Sequence, residues 1–264
     1  MSIKGHSGCK LLLIENNGGS YIRKISADIS YNIRLQMQCE KQSNFKHSQI
    51  CTPEVFGNGY IDDLFYFDME YINGLSFSDF IIKKSFKESN LIFDKLLSFI
   101  ESNCLNTFVD PSGFITQKIE ELSSKIIIDQ NIIDFINEYK NIKIPNGYCH
   151  GDFTFENIII HNNQIYLIDF LDSYIDSPII DLSKIYQDLH LNWSNRMKNI
   201  DFLSSVRNLY FKNHLDSFVN SNVLFDVNSV RLQQILTILR ILPYTRNMCL
   251  YTKLSCKISQ LIKI

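Results

Sequence analysis

The sequence predicts an α+β protein, a small antiparallel sheet with one helix followed by a mainly helical remainder. Two observations predict it: apolar residues alternate with polar ones in short runs before about residue 72, and recur at helical spacing after about residue 75. "KLLLIE" (10–15) and "SYIRKI" (20–25) flank "NNGG", whose residues tolerate positive φ and suit a tight hairpin turn. "ISYNIRLQMQCEKQ" (29–42) carries long polar side chains with few β-branched residues, which favours a helix. "EVFGNGY" (54–60) and "LFYFDMEY" (64–71), separated by Ile61-Asp62-Asp63, complete the sheet.

Gly74 then breaks the strand pattern, and Ser76 with Asp79 three residues on resembles a helix-starting cap. The division is therefore drawn between residues 1–74 and 75–264. In the second part helical spacing recurs at 90–105, 115–127 and 131–140. Only 148–170 interrupts it, with "NIII" and "QIYLIDF" around a turn at His161-Asn162-Asn163; beyond Asp181 the pattern is helical again.

With 264 residues, 45% of them hydrophobic, the chain is long enough to bury a sizeable core. A net charge of -2 gives no global attraction to polyanions, so nucleic acid is not an expected partner. The seven cysteines are scattered and form no C-x-x-C pair, which fits a reducing compartment. The start of the chain has too short an apolar stretch for a signal sequence, and no later stretch reaches the roughly 18 apolar residues of a membrane span. A soluble, cytoplasmic protein is expected.

The chemistry concentrates in "CHGDFTFENIII" (149–160). His150, Asp152 and Asn157 sit on a loop between apolar segments, and a hairpin's length later "LIDF" puts Asp169 at a strand end. Phosphoryl transfer needs this set of groups: one carboxylate to orient the attacking hydroxyl, and an amide oxygen plus a second carboxylate to hold Mg²⁺ on the nucleotide phosphates.

On these residues the sequence resembles the aminoglycoside phosphotransferase and choline kinase family, the small-molecule branch of the protein-kinase-like fold. The resemblance spans nearly the whole chain and is strongest from Tyr148 to Leu182. It implies two lobes, 1–74 binding the nucleotide and 75–264 carrying the catalytic loop and acceptor-binding helices. It implies Asp152 as the catalytic base or hydroxyl-orienting aspartate, with His150 bracing its loop. Asn157 and Asp169 would be the Mg²⁺ ligands, and Asp181 would support the loop through hydrogen bonds.

In the first lobe it implies a strand lysine gripping the phosphates, paired to a helix glutamate. "YIRK" fits: Ile22 and Lys24 share one strand face, so Ile22 covers the adenine while Lys24 reaches the phosphates, and Arg23 points away. Glu40 is the only acidic residue between Asp28 and Glu54, hence the expected partner of Lys24. Gly5 and Gly8 would let backbone N–H groups approach the phosphates, although the full G-x-G-x-x-G run is missing. Adenine is expected against backbone groups of Glu70, Tyr71 and Ile72.

The resulting reading is an ATP- or GTP-dependent, Mg²⁺-using kinase of a small-molecule hydroxyl, on an amino sugar, sugar or amino alcohol. A nucleotide-binding pseudokinase or scaffold is the alternative, for which the abbreviated glycine loop argues. A protein kinase lacks room here, with eleven residues between Asp169 and Asp181 and no A-P-E segment. From Asp152 to Asp188 seven acidic residues face the single Lys184, a surplus that would favour an acceptor carrying an amine.

Overall fold

Period-two alternation over residues 10–25 and 55–70 becomes a five-stranded antiparallel sheet in the order β1-β2-β3-β6-β5. Its strands are β1 (Ser2–Lys4), β2 (Lys10–Asn16), β3 (Gly19–Ile25), β5 (Val55–Ile61) and β6 (Leu64–Glu70). This computed structural model describes residues 2–4, 8–16, 19–196 and 201–263. Asn16 pairs with Gly19 across the first hairpin, whose two turn residues lie outside the described set. At the β5–β6 turn Asp62 (φ 48°) and Asp63 (φ 62°) are both left-handed, the backbone a two-residue hairpin of matching twist requires.

Helix α1 (Asn32–Asn44) follows a single 3-10 turn over Ile29–Tyr31. Its Leu35 and Cys39 pack with Ile22, Phe65, Phe67 and Met69 from the sheet and with Cys9 just before β2. Burying each large side chain contributes roughly 1.5–3 kcal/mol. Asn32 fixes the helix start: its amide donates to Asp63 O at 2.8 Å and accepts from Phe65 N–H at 2.9 Å.

A second sheet has the order β4-β11-β10-β7, with β4 (Ile50–Cys51), β7 (Leu75–Ser76), β10 (Ile158–His161) and β11 (Gln164–Leu167). Asn162 and Asn163 make the β10–β11 turn in left-handed conformations. The division at 74/75 is corrected by this sheet. The contacts of the chain group Met1–Phe80 with Glu156–Asp172, and Ile81–Phe155 with Ser173–Ile264. Hydrogen bonding of β10 to β7 and of β11 to β4 draws the 158–167 hairpin into the first unit. Gly74 permits this, because a Cβ there would meet Ile160 O at 2.6 Å. The expected cap holds: Asp79 N–H donates to Ser76 Oγ at 3.2 Å at the start of α2 (Phe77–Lys83).

The second unit is mainly helical: α3 (Phe86–Ser102), α4 (Ser112–Ser123), α5 (Gln130–Tyr139), α6 (Ile179–Leu191), α7 (Phe202–Ser221), α8 (Val227–Leu239) and α9 (Met248–Leu261). Residues of α4, α5, α6, α8 and α9 form its core, with Ile235, Leu236 and Leu254 almost wholly buried. One pair of strands was unexpected: β8 (Cys104–Val109) and β9 (Ile144–Gly147) pair antiparallel across α4 and α5, a register no local turn signals. No helix among the described residues is long and apolar enough to cross a membrane.

Candidate active site

In the first unit the site grows from β3. Side-chain alternation buries Ile22 and Lys24 and turns Arg23 to the other face, where its guanidinium grips both carboxylate oxygens of Asp68 at 2.7 and 2.8 Å. Lys24 is 2% exposed, and its Nζ donates to Asp169 Oδ1 at 2.7 Å and to Gln38 Oε1 at 3.0 Å. Burial alone would depress the Lys24 pKa; the Asp169 carboxylate outweighs it and holds the ammonium above its ordinary value.

The helix partner of Lys24 is therefore Gln38, and the pairing with Glu40 is corrected. Glu40 lies two residues further along α1, about 200° round the helix, and is exposed. A search for carboxylates passes over Gln38, whose amide is neutral yet supplies the acceptor. Gln38 Nε2 in turn donates to Tyr31 OH at 3.2 Å, so the lysine ends a chain of oriented dipoles.

Asn157 and Asp169 leave the same end of the β10–β11 hairpin. Ile158 pairs with Leu167, and beyond them Ile168 N–H donates to Asn157 O at 3.0 Å. Asp169 has φ 60°, a left-handed conformation uncommon outside glycine, which turns the chain sharply at the strand end. No group of three or more His, Cys, Asp or Glu side chains suited to a metal occurs among the described residues. One amide and one carboxylate nevertheless fit Mg²⁺, a hard cation that takes few protein oxygens and completes its shell with water and phosphate.

Gly5 lies outside the described residues; Gly8, between β1 and β2, has φ 76° and is exposed. At the connector, Glu70 N–H donates to Glu54 O at 2.8 Å, Ile72 O accepts from Gly74 N–H at 2.9 Å, and Tyr71 is exposed.

In the second unit the loop carrying His150 and Asp152 is held from below by α6. Asp181 accepts from His150 N–H at 2.7 Å and from Gly151 N–H at 2.9 Å. Gly151 has φ 89°, which a side chain would strain. Asp188 accepts from Phe155 N–H and Ser194 N–H, both at 2.7 Å. His150 is wholly buried; its Nδ1 accepts from Asp152 N–H at 3.3 Å, and its ring packs edge-on against Phe153.

Asp152 itself pairs with Lys184, Nζ to Oδ1 2.9 Å. Burial would raise the Asp152 pKa, but the Lys184 ammonium, assisted by charges at His150 and Arg240, holds it below the ordinary carboxylate value. Sequence reading singled out neither Lys184 nor Asp188 as part of the site. The available signal was their spacing from Asp181, i+3 and i+7 on one helix face.

Residues 117–199 match the model of a family described as the phosphotransferase enzyme family, and this segment contains His150, Asp152, Asn157, Asp169, Asp181 and Lys184. The match covers about a third of the chain, so the chain is similar to this family over the segment that carries these residues. No curated protein matches it significantly in sequence.

Among solved structures, the chain is similar to a thermostable mutant of aminoglycoside phosphotransferase APH(4)-Ia in ternary complex with ADP and hygromycin B. The TM-score is 0.71 at 13% identity, covering 100% of this chain and 92% of that one. A putative fructosamine-3-kinase from Haemophilus somnus 129PT gives a TM-score of 0.58 at 14% identity, covering 99% of this chain and 90% of that one. ADP-bound aminoglycoside phosphotransferase APH(2'')-Ib gives 0.57 at 17% identity, covering 99% of this chain and 91% of that one. These likenesses show the fold, α+β with an antiparallel-sheet first part and a helical remainder.

Proposed function

We propose that the chain transfers the γ-phosphoryl group of ATP or GTP to a hydroxyl of a small molecule such as an amino sugar, sugar or amino alcohol. The observation that carries this reading is the fixed loop around Asp152, whose backbone N–H groups are held by Asp181 and Asp188 while its carboxylate is kept ionised. An ionised carboxylate orients an acceptor O–H. As the acceptor oxygen bonds to phosphorus and the bond to the nucleotide's bridging oxygen breaks, it takes the proton late in the step.

In this reading Lys24, kept charged by Asp169, neutralises phosphate charge, and Ile22 covers the base. Backbone groups of Glu70 to Ile72 receive adenine, and Gly8, together with Gly5, borders the phosphates. Asn157 and Asp169 would hold Mg²⁺, which when bound supplies further charge neutralisation on the phosphates. The two similar enzymes solved with ADP agree with a nucleotide donor.

The charge argument for an amine-bearing acceptor weakens. Of the seven acidic residues between Asp152 and Asp188, Asp152 and Asp169 are paired to lysines, and Asp181 and Asp188 hold backbone N–H groups. Acceptor charge is therefore an open variable for the assay. One observation favours the second reading, a nucleotide-binding pseudokinase: Lys24 meets a neutral glutamine on α1 in place of a carboxylate.

The deciding experiment measures Mg²⁺-dependent ADP formation from ATP, and GDP from GTP, over pooled amino sugars, sugars, amino alcohols and nucleosides, with Asp152→Asn as control. Acceptor-dependent turnover that falls by about 100-fold or more in the variant supports the kinase. Nucleotide binding without turnover on any pool supports the pseudokinase.

A further inference from the structure

Helix α6 is buried almost from end to end, and between Ile179 and Leu189 every residue is inside. Helices in that position are ordinarily apolar all round. This one carries three charged side chains on the face toward the loop: Asp181, Lys184 and Asp188. The two carboxylates take loop backbone N–H groups. Lys184 does something different, for its Nζ takes the side chain of Asp152 at 2.9 Å.

The Lys184 side chain is 9% exposed, so its ammonium has little water around it. A desolvated ammonium persists only with a partner, and Asp152 is its ion-pair partner among the described residues. The contact engages Oδ1 and so restrains where that oxygen sits. Asp181 and Asp188 hold the backbone of the same loop, and Lys184 acts on the Asp152 side chain itself.

We propose that Lys184 is a positioning residue for phosphoryl transfer, acting on turnover through the orientation of the Asp152 carboxylate and not by touching the acceptor. The proposal rests on the role given to Asp152 above. It explains why a buried helix position between Ser183 and Ile185 carries a charge. It also accounts for the spacing: three residues after Asp181 on a helix is one turn, which sets Lys184 beside the residue that follows the backbone groups Asp181 holds.

The test is a kinetic double-mutant cycle on the full chain, with Lys184→Met, Asp152→Asn and the double variant, each read by transfer of radiolabelled phosphate to an acceptor that the wild type uses. Lys184→Met is expected to lower kcat by about 10- to 100-fold, the scale of losing an oriented catalytic group, with acceptor KM within about threefold. In the Asp152→Asn background the same substitution is expected to change kcat by less than about twofold, because groups acting as a unit are not additive. Lys184→Arg, which keeps a cation and guards against a variant that fails to fold, is expected to recover at least about a tenth of wild-type kcat.

Equal losses in both backgrounds, or a loss confined to acceptor KM, overturn the proposal while leaving the kinase reading intact. A wild type that turns over no acceptor overturns that reading, and the proposal falls with it.

Discussion

The ammonium of Lys24 lies 2.7 Å from Oδ1 of Asp169, joining β3 to the end of the β10–β11 hairpin inside one unit. Arg23, its neighbour in sequence, makes a bidentate pair with Asp68 on the opposite, wetter face. Both pairs are part-buried, and what separates them is the Lys24 side chain itself, 2% exposed against 23% for Arg23, whose truncation to alanine leaves a cavity at about 2–5 kcal/mol. Lys24→Ala is therefore expected to cost more unfolding free energy than Arg23→Ala in urea titrations. Comparable losses would mean that Lys24 is not buried against Asp169 in solution.

The exchange of Glu40 for Gln38 as helix partner gives a second prediction. Glu40→Gln touches an exposed charge and is expected to change stability by less than about 0.5 kcal/mol, leaving the nucleotide dissociation constant within about twofold. Gln38→Leu removes an acceptor from a buried ammonium, a loss of about 1.5–3 kcal/mol, and is expected to weaken nucleotide binding at least several-fold. Calorimetry on the two variants decides it. Weaker binding in Glu40→Gln with none in Gln38→Leu would restore the glutamate.

Asp181 gathers the N–H groups of His150 and Gly151, and Gly151 needs its left-handed φ of 89° to present one of them. Asp181→Ala orphans two buried donors, at about 1–3 kcal/mol each. Gly151→Ala adds roughly 1–2 kcal/mol of backbone strain. Both are expected to lower kcat through the Asp152 loop while nucleotide binding, measured separately, stays within about twofold. A variant that loses nucleotide affinity and keeps kcat would sink this account of the loop.

What the sequence made legible was local. Strand alternation assigned Ile22 and Lys24 to one face and Arg23 to the other, and the connectors read at 61–63 and 161–163 contain the two-residue turns seen at 62–63 and 162–163. The spacing of His150, Asp152 and Asn157, followed by Asp169, drew attention to the right loop and strand end. What escaped depended on tertiary contact. β8 and β9 meet across two helices, and the hairpin at 158–167 joins the first unit through strands of two residues each. Gln38 escaped because a neutral amide carries no charge signal. Lys184 escaped because its partner is decided by which face of α6 meets the loop.

Opposite charges are not the only ones that α6 meets. His190, near its C-terminal end, lines a cavity with Tyr186, Lys212, Asp216 and Lys257. Burial first, then the charges of Lys257 and Lys212, push the His190 pKa down to about 3. Burial and Lys212 push Lys257 down to about 8, against the opposing pull of Asp216. In both cases the unfolded chain binds more protons than the folded one, so stability rises with pH. For His190 the window runs from about 3 to the unfolded value of about 6.5, and for Lys257 from about 8 to about 10.4.

Lowering pH from 7 to 5 is thus expected to remove about 2 kcal/mol through His190 alone. His190→Gln should flatten that limb. Lys257→Met should stabilise the protein at pH 7 by about 1–2 kcal/mol, discounted for its part-exposed setting, and soften the acid loss by relieving His190 of a neighbouring positive charge. Urea unfolding of the wild type and both variants at pH 5, 7 and 9 measures all three effects. An acid limb of unchanged depth in His190→Gln would assign it to other groups, and a less stable Lys257→Met at pH 7 would show that Asp216 outweighs burial and Lys212 together.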